Sequence, residues 1–158
     1  MDEQSRQYLV QHYSAADWLE SRGAAGAVRD LTLTGSEVPG WTLLRSKRNA
    51  AATPPFLQSL WQYRDDPDQL ISVRIVECGS VAAAREQLLE ELGNFQSPVI
   101  TRSTGPDAVG DVAFGLGDTM SVFALANLVV VVLNGGRRAV SVLAVARAFD
   151  TLIRQRIS

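Results

Sequence analysis

The chain has 158 residues and a formal net charge of −2, with 15 basic and 17 acidic residues spread along it. A chain of this length can bury a full core without metal or disulfide staples. Its charge balance supplies no basic face for a phosphate backbone, so we expect no nucleic-acid partner.

The N-terminal residues predict a helix over residues 3–22. Apolar side chains, including Leu9 and Tyr13, recur there at three- and four-residue spacing, which lines one side of a helix. A capping-box pattern that starts at Ser14 predicts a break near Tyr13. Gly23 is a helix stop signal, so the segment should end there.

The first half of the chain then predicts several strands and one helix. The strands are expected over residues 31–34, 41–45, 56–64 and 69–77, and the helix over residues 80–92. In the last strand Ile71, Val73 and Ile75 alternate with Ser72 and Arg74. This period of two is typical of a strand with one dry face and one wet face.

The second half repeats this order, with strands over residues 111–116, 121–125 and 128–133 and a helix over residues 139–157. Consecutive strands without crossovers cannot form a parallel sheet. We therefore predict an α+β fold: a two-layer antiparallel sheet with two long helices on one face, a possible ββ(β)α pseudo-repeat, and an N-terminal helix. A single domain should span residues 1–158, comprising an N-terminal helical segment (1–26) and two halves (31–93 and 99–157).

A short motif in the second half supports a resemblance. Residues 109–114 read Val-Gly-Asp-Val-Ala-Phe, and a strand pair over residues 122–133 follows with Asn127 at its turn, before the closing helix. This pattern resembles that of uncharacterised two-repeat bacterial α+β domains, many of them exported. The element order also resembles the two-repeat saddle of the TATA-binding-protein fold. The resemblance implies a fold and brings no activity or functional residue with it.

Targeting signals are missing from the sequence as written. The first ten residues carry acids and no apolar core before a cleavage site. The most apolar window, residues 120–133, falls short of the ~20 residues that span a bilayer. We expect no transmembrane segment and a cytoplasmic protein, the alternative being an exported domain whose leader has been removed.

Residues for recognisable chemistry are scarce. His12 is the only histidine, no G-x-S-x-G motif accompanies it, and Cys78 is the only cysteine. Metal sites of the zinc type need several such ligands. We therefore predict no catalytic residues, no metal and no cofactor, and an inert, buried Cys78 thiol.

Charged clusters favour ordinary surface roles. Asp65, Asp66 and Asp68 surround a proline and indicate a solvated hairpin turn rather than a calcium loop. Two basic groups indicate solvated loops, with an anionic-ligand site as the alternative; they comprise Arg45, Lys47, Arg48, Arg137 and Arg138.

The strands of the second half are apolar on both faces, because every position of residues 128–133 is apolar. A two-layer fold would leave one of these faces wet, and large apolar patches are uncommon on soluble monomers. This face could be covered in three ways: by the N-terminal helix, by a second copy of the chain, or by an apolar small molecule. The candidate ligand or interface residues are Ala113, Gly115, Gly117, Phe123, Leu125, Val130, Val132 and Trp18.

Two classes of function remain open from the sequence. The first is a noncatalytic binding or interaction domain that uses the apolar outer sheet face for self-association, as a homodimer, or for an apolar ligand. The second is a small enzyme without a recognisable motif, for which Asp107, Asp111 and Asp118 near turns are the candidates.

Overall fold

A computed structural model describes residues 1–18 and 24–157 of the chain. Its main elements are α1 (Glu3–His12), β1 (Trp41–Asn49), β2 (Phe56–Tyr63), β3 (Leu70–Glu77), α2 (Val81–Phe95), β4 (Thr101–Arg102), β5 (Val112–Gly115), β6 (Met120–Leu125), β7 (Leu128–Asn134) and α3 (Leu143–Arg156). None of the helices in these two ranges is both long and apolar enough to cross a membrane.

All seven strands form one sheet in the order β1-β2-β3-β7-β6-β5-β4, and every neighbouring pair is antiparallel. The predicted α+β class with an antiparallel sheet and an N-terminal helix is confirmed. The last strands of the two halves, β3 and β7, pair with each other at the centre of the sheet. Each half therefore runs outward from this central pair.

The placement of the two long helices differs from the prediction, because α2 and α3 lie on opposite faces of the sheet. Along β6, Phe123 packs with α3 residues, whereas its neighbour Val122 packs with α2 residues. On β7, Val130 and Val129 divide in the same way. The strands β5 to β7 thus lie between two helical layers, which is why they are apolar on both sides.

Opposite faces also rule out a two-fold repeat of the two halves. The order strands-then-helix recurs, and the strand order is mirrored about β3 and β7. However, a two-fold axis that exchanges two antiparallel neighbouring strands is perpendicular to the sheet. It does not exchange the two faces, so it would place both helices on one face. The ββ(β)α order of elements therefore repeats, but the two halves are not related by a two-fold axis, and the described residues do not form the saddle that carries both helices on one side.

The N-terminal segment completes the cover on the α2 face of the sheet. Leu9 of α1 packs against α2, where a Cβ added at Gly93 would lie 3.0 Å from it. Tyr13 and Trp18 place their rings 5.2 and 5.5 Å from the ring of Phe114 on β5. The main cover on this face is therefore α2, which the prediction had placed with α3, and not the N-terminal helix: α1 packs on α2, and only Tyr13 and Trp18 after it reach the sheet at Phe114.

Several predicted boundaries need correction. Residues 31–34 form no strand, and Leu31 instead packs as a loop residue under the α3 face. Strand β1 continues to Asn49, through residues predicted as loop, and the short strand β4 was not predicted. The predicted break near Tyr13 is confirmed, since α1 ends there. The rest of that predicted helix, residues 19–22, and its stop at Gly23 lie outside the described residues.

Candidate functional site

Most of the sequence-predicted interface residues lie inside the protein. Ala113, Phe123, Leu125, Val130 and Val132 come together beneath α3, and each is at most 2% exposed. Side chains in this position cannot form an outer sheet face, because α3 already covers them. The surface on which the homodimer and apolar-ligand predictions were based is therefore occupied by the chain itself.

The remaining three candidates are dispersed. Trp18 is 3% exposed on the α2 face, where its Nε1 donates a 3.0 Å hydrogen bond to the carbonyl of Tyr13. Gly115 is buried at the end of β5, and Gly117 lies exposed in the β5–β6 turn with a φ of +57°. The structure does not bring these three residues together with the other five.

The conspicuous motif at residues 109–114 has a structural role. The Gly110 amide donates to Asp150 on α3 at 2.8 Å, and Asp111 accepts from the amide of Ala126, in the β6–β7 turn, at 2.7 Å. Asn127, in the same turn, accepts from the Gly26 amide at 2.6 Å and donates to the carbonyl of Cys78 at 3.0 Å. These polar groups join the turn, the N-terminal segment and the sheet.

The candidate aspartates of the enzyme alternative are not gathered in one cleft. Asp107 lies 3.5 Å from Arg147, and the Asp111 carboxylate holds the amide of Ala126. Asp118 follows β5, whereas Asp111 precedes it, so the two lie at opposite ends of that strand. No group of three or more potential ligands for a metal ion occurs within residues 1–18 and 24–157.

The single cysteine and histidine have ordinary surroundings. Cys78 is half-buried, rather than fully buried as predicted, and burial raises the pKa of its thiol, which keeps it protonated. The exposed His12 ring stacks on Tyr8 at 5.5 Å, in a cleft of about 710 Å³ between α1 and the end of α2. Besides His12, the cleft is lined by the ionisable side chains of Glu90 and two tyrosines and by the hydroxyls of Ser5 and Ser97, and the Ser5 hydroxyl donates a 3.2 Å hydrogen bond to Asp2.

One part of the sheet has no helix over it in the described part of the chain. Helix α2 contacts β6 and β7, and α1 packs on α2, so no helix within residues 1–18 and 24–157 covers the same face of β1, β2 and most of β3; Val76, near the end of β3, is buried. We call this surface the open half; its residues are Arg45, Lys47, Gln58, Leu60, Leu70, Ser72 and Arg74. It forms a groove of about 590 Å³, with Glu91 and Phe95 of α2 along one wall and Leu133 in the floor.

A β-bulge turns two cations onto the open half. Trp41 and Leu43 point to the α3 face, and simple alternation would send Arg45 to that face as well. The register shifts between Leu43 and Arg45, so Arg45 instead lies opposite Leu60 and Lys47 opposite Gln58 on the open half. Re-aiming side chains is a common function of bulges.

The charges around the groove are unequally satisfied. Arg74 forms an ion pair with Glu91, which is only 5% exposed and also accepts a 3.1 Å hydrogen bond from Gln87. Arg45 and Lys47 are exposed, and neither has an ion pair with any residue in the described part of the chain. The groove therefore has two positive charges along its outer rim that form no ion pair with the described residues, although the Lys47 ammonium lies 6.0 Å from the centroid of the Phe56 ring.

The other predicted basic residues are used differently. Arg48 points away from the groove and donates to the carbonyls of Arg29 and Leu31 at 3.2 and 3.1 Å, which holds that loop against the sheet. Arg138 forms an ion pair with Asp66 of the β2–β3 turn. Within the group of Arg45, Lys47 and Arg48, the bulge determines that the first two face the groove and that Arg48 does not.

The chain was compared with protein-family models, with curated proteins and with solved structures, and nothing matched it in any of the three.

Proposed function

We propose that the chain is a noncatalytic binding domain, and that the open half of its sheet binds an anionic ligand that also carries apolar groups. The observation that carries this proposal is the bulge in β1. It places Arg45 and Lys47 beside a sheet surface, and among the described residues neither cation has an ion-pair partner and no helix covers that surface. The proposal takes up the alternative that the basic residues form an anionic-ligand site. It moves the expected binding face from the strands of the second half to those of the first half.

The physical basis is a combination of charge and apolar area. A concave surface of low dielectric constant strengthens the field of cations at its rim, and this draws anions towards it. The side chains of Leu60, Leu133 and Phe95 are each partly exposed around the groove. Covering apolar area contributes about 25 cal/mol per Å², so a ligand with both features gains from each.

The groove residues support binding better than catalysis. The hydroxyl of Ser59 accepts a 2.9 Å hydrogen bond from Trp61, and the buried carboxylate Glu91 is held by Arg74 and Gln87. His12 lies on α1 in the other cleft, so it cannot activate a serine here. A binding role needs none of these groups to react.

Self-association through the open half is disfavoured by charge. Two copies that met face to face would bring Arg45 and Lys47 of each towards the other pair, and like charges in contact destabilise an interface. The homodimer, the purely apolar ligand, the absence of nucleic acid, the bacterial origin and the cytoplasmic location stay predictions.

A calorimetric titration with decanoate, a carboxylate with an apolar chain, tests the proposal. We expect Arg45→Glu/Lys47→Glu to weaken binding at least about tenfold, because roughly 1.4 kcal/mol of lost attraction has that effect. The neutral pair Arg45→Gln/Lys47→Gln should fall between this variant and the unmodified protein. Decanol, which lacks the charge, should bind more weakly than decanoate.

A matched control separates the groove from overall charge. Arg102→Glu/Arg156→Glu changes the net charge equally at two exposed positions away from the groove, on the far edge strand β4 and at the end of α3, and it should leave the decanoate affinity unchanged. Equal weakening by both double variants, or no decanoate binding by the folded protein, would show that the open half is not an anion-binding surface.

A further inference from the structure

From the geometry of the open half we infer that its ligand is an acidic, amphipathic helix of a partner protein, which docks beside α2. This inference rests on the proposed function and names the class of partner. It commits to one occupant because the width, the length and the charges of the groove each match a helix.

The width of the open half matches one helix. Neighbouring strands lie about 4.8 Å apart, so the line above β2 and β3 is two strand spacings, or about 9.6 Å, from the line above β7 and β6 where α2 contacts the sheet. Packed helices are separated by about 8–10 Å. A helix laid over β2 and β3 would therefore pack against α2 and the sheet together, as α2 itself does over β6 and β7.

The apolar contacts available at this position lie on two sides of the docked helix. Leu60 and Leu133 are in the floor, and Phe95 lies at the α2 wall, where all three are partly exposed; Leu70 is partly exposed on the same sheet face, beyond the groove. A helix meets such a corner with a stripe of apolar residues at three- and four-residue spacing. The partner segment should therefore be amphipathic.

The spacing of the cations specifies the charged flank of the partner helix. Arg45 and Lys47 are two residues apart on a strand, which corresponds to about 6.6 Å. Two residues four positions apart on a helix are separated by about 6 Å along its axis. Acidic residues at positions i and i+4 on the flank that faces β1 would meet both cations.

The edge of strand β1 is a less suitable docking site for an acidic partner segment, which would bind there as an added strand. Strand β1 is a long edge strand, but it carries a bulge and several positive charges, which are features that protect edges from pairing. A strand added beside β1 would lie two strand spacings from β2, so its backbone would not cover Leu60 or Leu133. A second copy of the chain would bring further cations to the edge.

The test uses a designed peptide of about 18 residues, which as a helix is ~27 Å long and matches the ~26 Å floor of an eight-residue strand. One face carries Leu and Ala, and one flank carries Glu at i and i+4. We expect it to bind at least about tenfold more tightly than a scrambled peptide of the same composition. We also expect it to gain helical circular dichroism on binding and to shift amide resonances of β2 and β3.

Matched variants define the outcomes. Arg45→Glu/Lys47→Glu should weaken peptide binding at least tenfold, whereas Arg102→Glu/Arg156→Glu should not. A peptide with Lys in place of Glu, and one with a central proline, should bind poorly. If an alternating Glu–Val peptide bound more tightly and protected β1 amides from exchange, the ligand would be a strand.

The remaining outcomes distinguish this inference from the function on which it rests. Tighter binding of a uridine oligonucleotide would point to nucleic acid, and a concentration-dependent dimer whose formation blocks the peptide would point to a second copy; either overturns the helix. If decanoate bound in a manner sensitive to Arg45 and Lys47 but the helical peptide bound no better than its scrambled form, the helix inference would fail alone. If neither probe bound, both proposals would fail.

Discussion

Replacement of Val130 by aspartate should leave little or no folded protein. Val130 lies on β7 at the centre of the sheet, is 0% exposed, and packs beneath α3. A carboxylate there would be buried without a partner, at a cost of at least about 4 kcal/mol. Whole domains are stable by only about 5–15 kcal/mol, so most of the stability would be lost. Urea denaturation followed by tryptophan fluorescence measures the change.

Two further aspartate substitutions provide stability losses with which that of Val130→Asp can be compared. Val131→Asp points to the α2 face, directly across from Arg74, so its carboxylate would have a cationic neighbour and should cost less than at Val130. Val99 is 62% exposed, and Val99→Asp should change stability by less than about 0.5 kcal/mol. If Val130→Asp melted like Val99→Asp, the packing of β7 beneath α3 would be incorrect.

Replacement of Gly110 by alanine should lower the free energy of unfolding by about 2–5 kcal/mol, from a left-handed backbone and an overpacked contact together. The φ of Gly110 is +63°, and an added Cβ would lie 2.5 Å from the carbonyl oxygen of Ala124. That oxygen accepts the amide of Asp111, so it cannot retreat without loss of a hydrogen bond. Chemical denaturation of the purified variant gives the value.

A second glycine provides the control for this prediction. Gly117 has a φ of +57°, yet a Cβ there would meet nothing within 4 Å. Gly117→Ala therefore carries the backbone cost alone, about 1–2 kcal/mol. Equal losses at the two positions would mean that the contact between Gly110 and the β6 backbone contributes nothing.

Local patterns in the sequence predicted the parts of the fold that depend on local burial. The alternation of Ile71, Val73 and Ile75 with Ser72 and Arg74 correctly indicated one dry and one wet face, which are the α3 face and the open half. The apolar residues of β7 correctly indicated that both of its faces are covered. In each case burial of single side chains determines the pattern.

Features that depend on the path of the chain were not predictable in this way. Periodicity shows which side of α2 is apolar, but not which face of the sheet that side meets, and the prediction placed α2 and α3 together. The bulge near Leu44 leaves no composition signal, so the placement of Arg45 and Lys47 was hidden. Because the candidate site depends on both features, the sequence directed attention to the covered strands instead.

The most direct test of the central claim measures where the sheet meets water. A soluble gadolinium chelate accelerates the relaxation of methyl protons that solvent can approach. We predict strong effects on Leu60 and Leu70 in the open half, and weak effects on Val122 and Val129, which are 0% exposed under α2. Strong relaxation at Val122 and Val129, with protection of Leu60 and Leu70, would contradict the assignment of the open half as the binding surface.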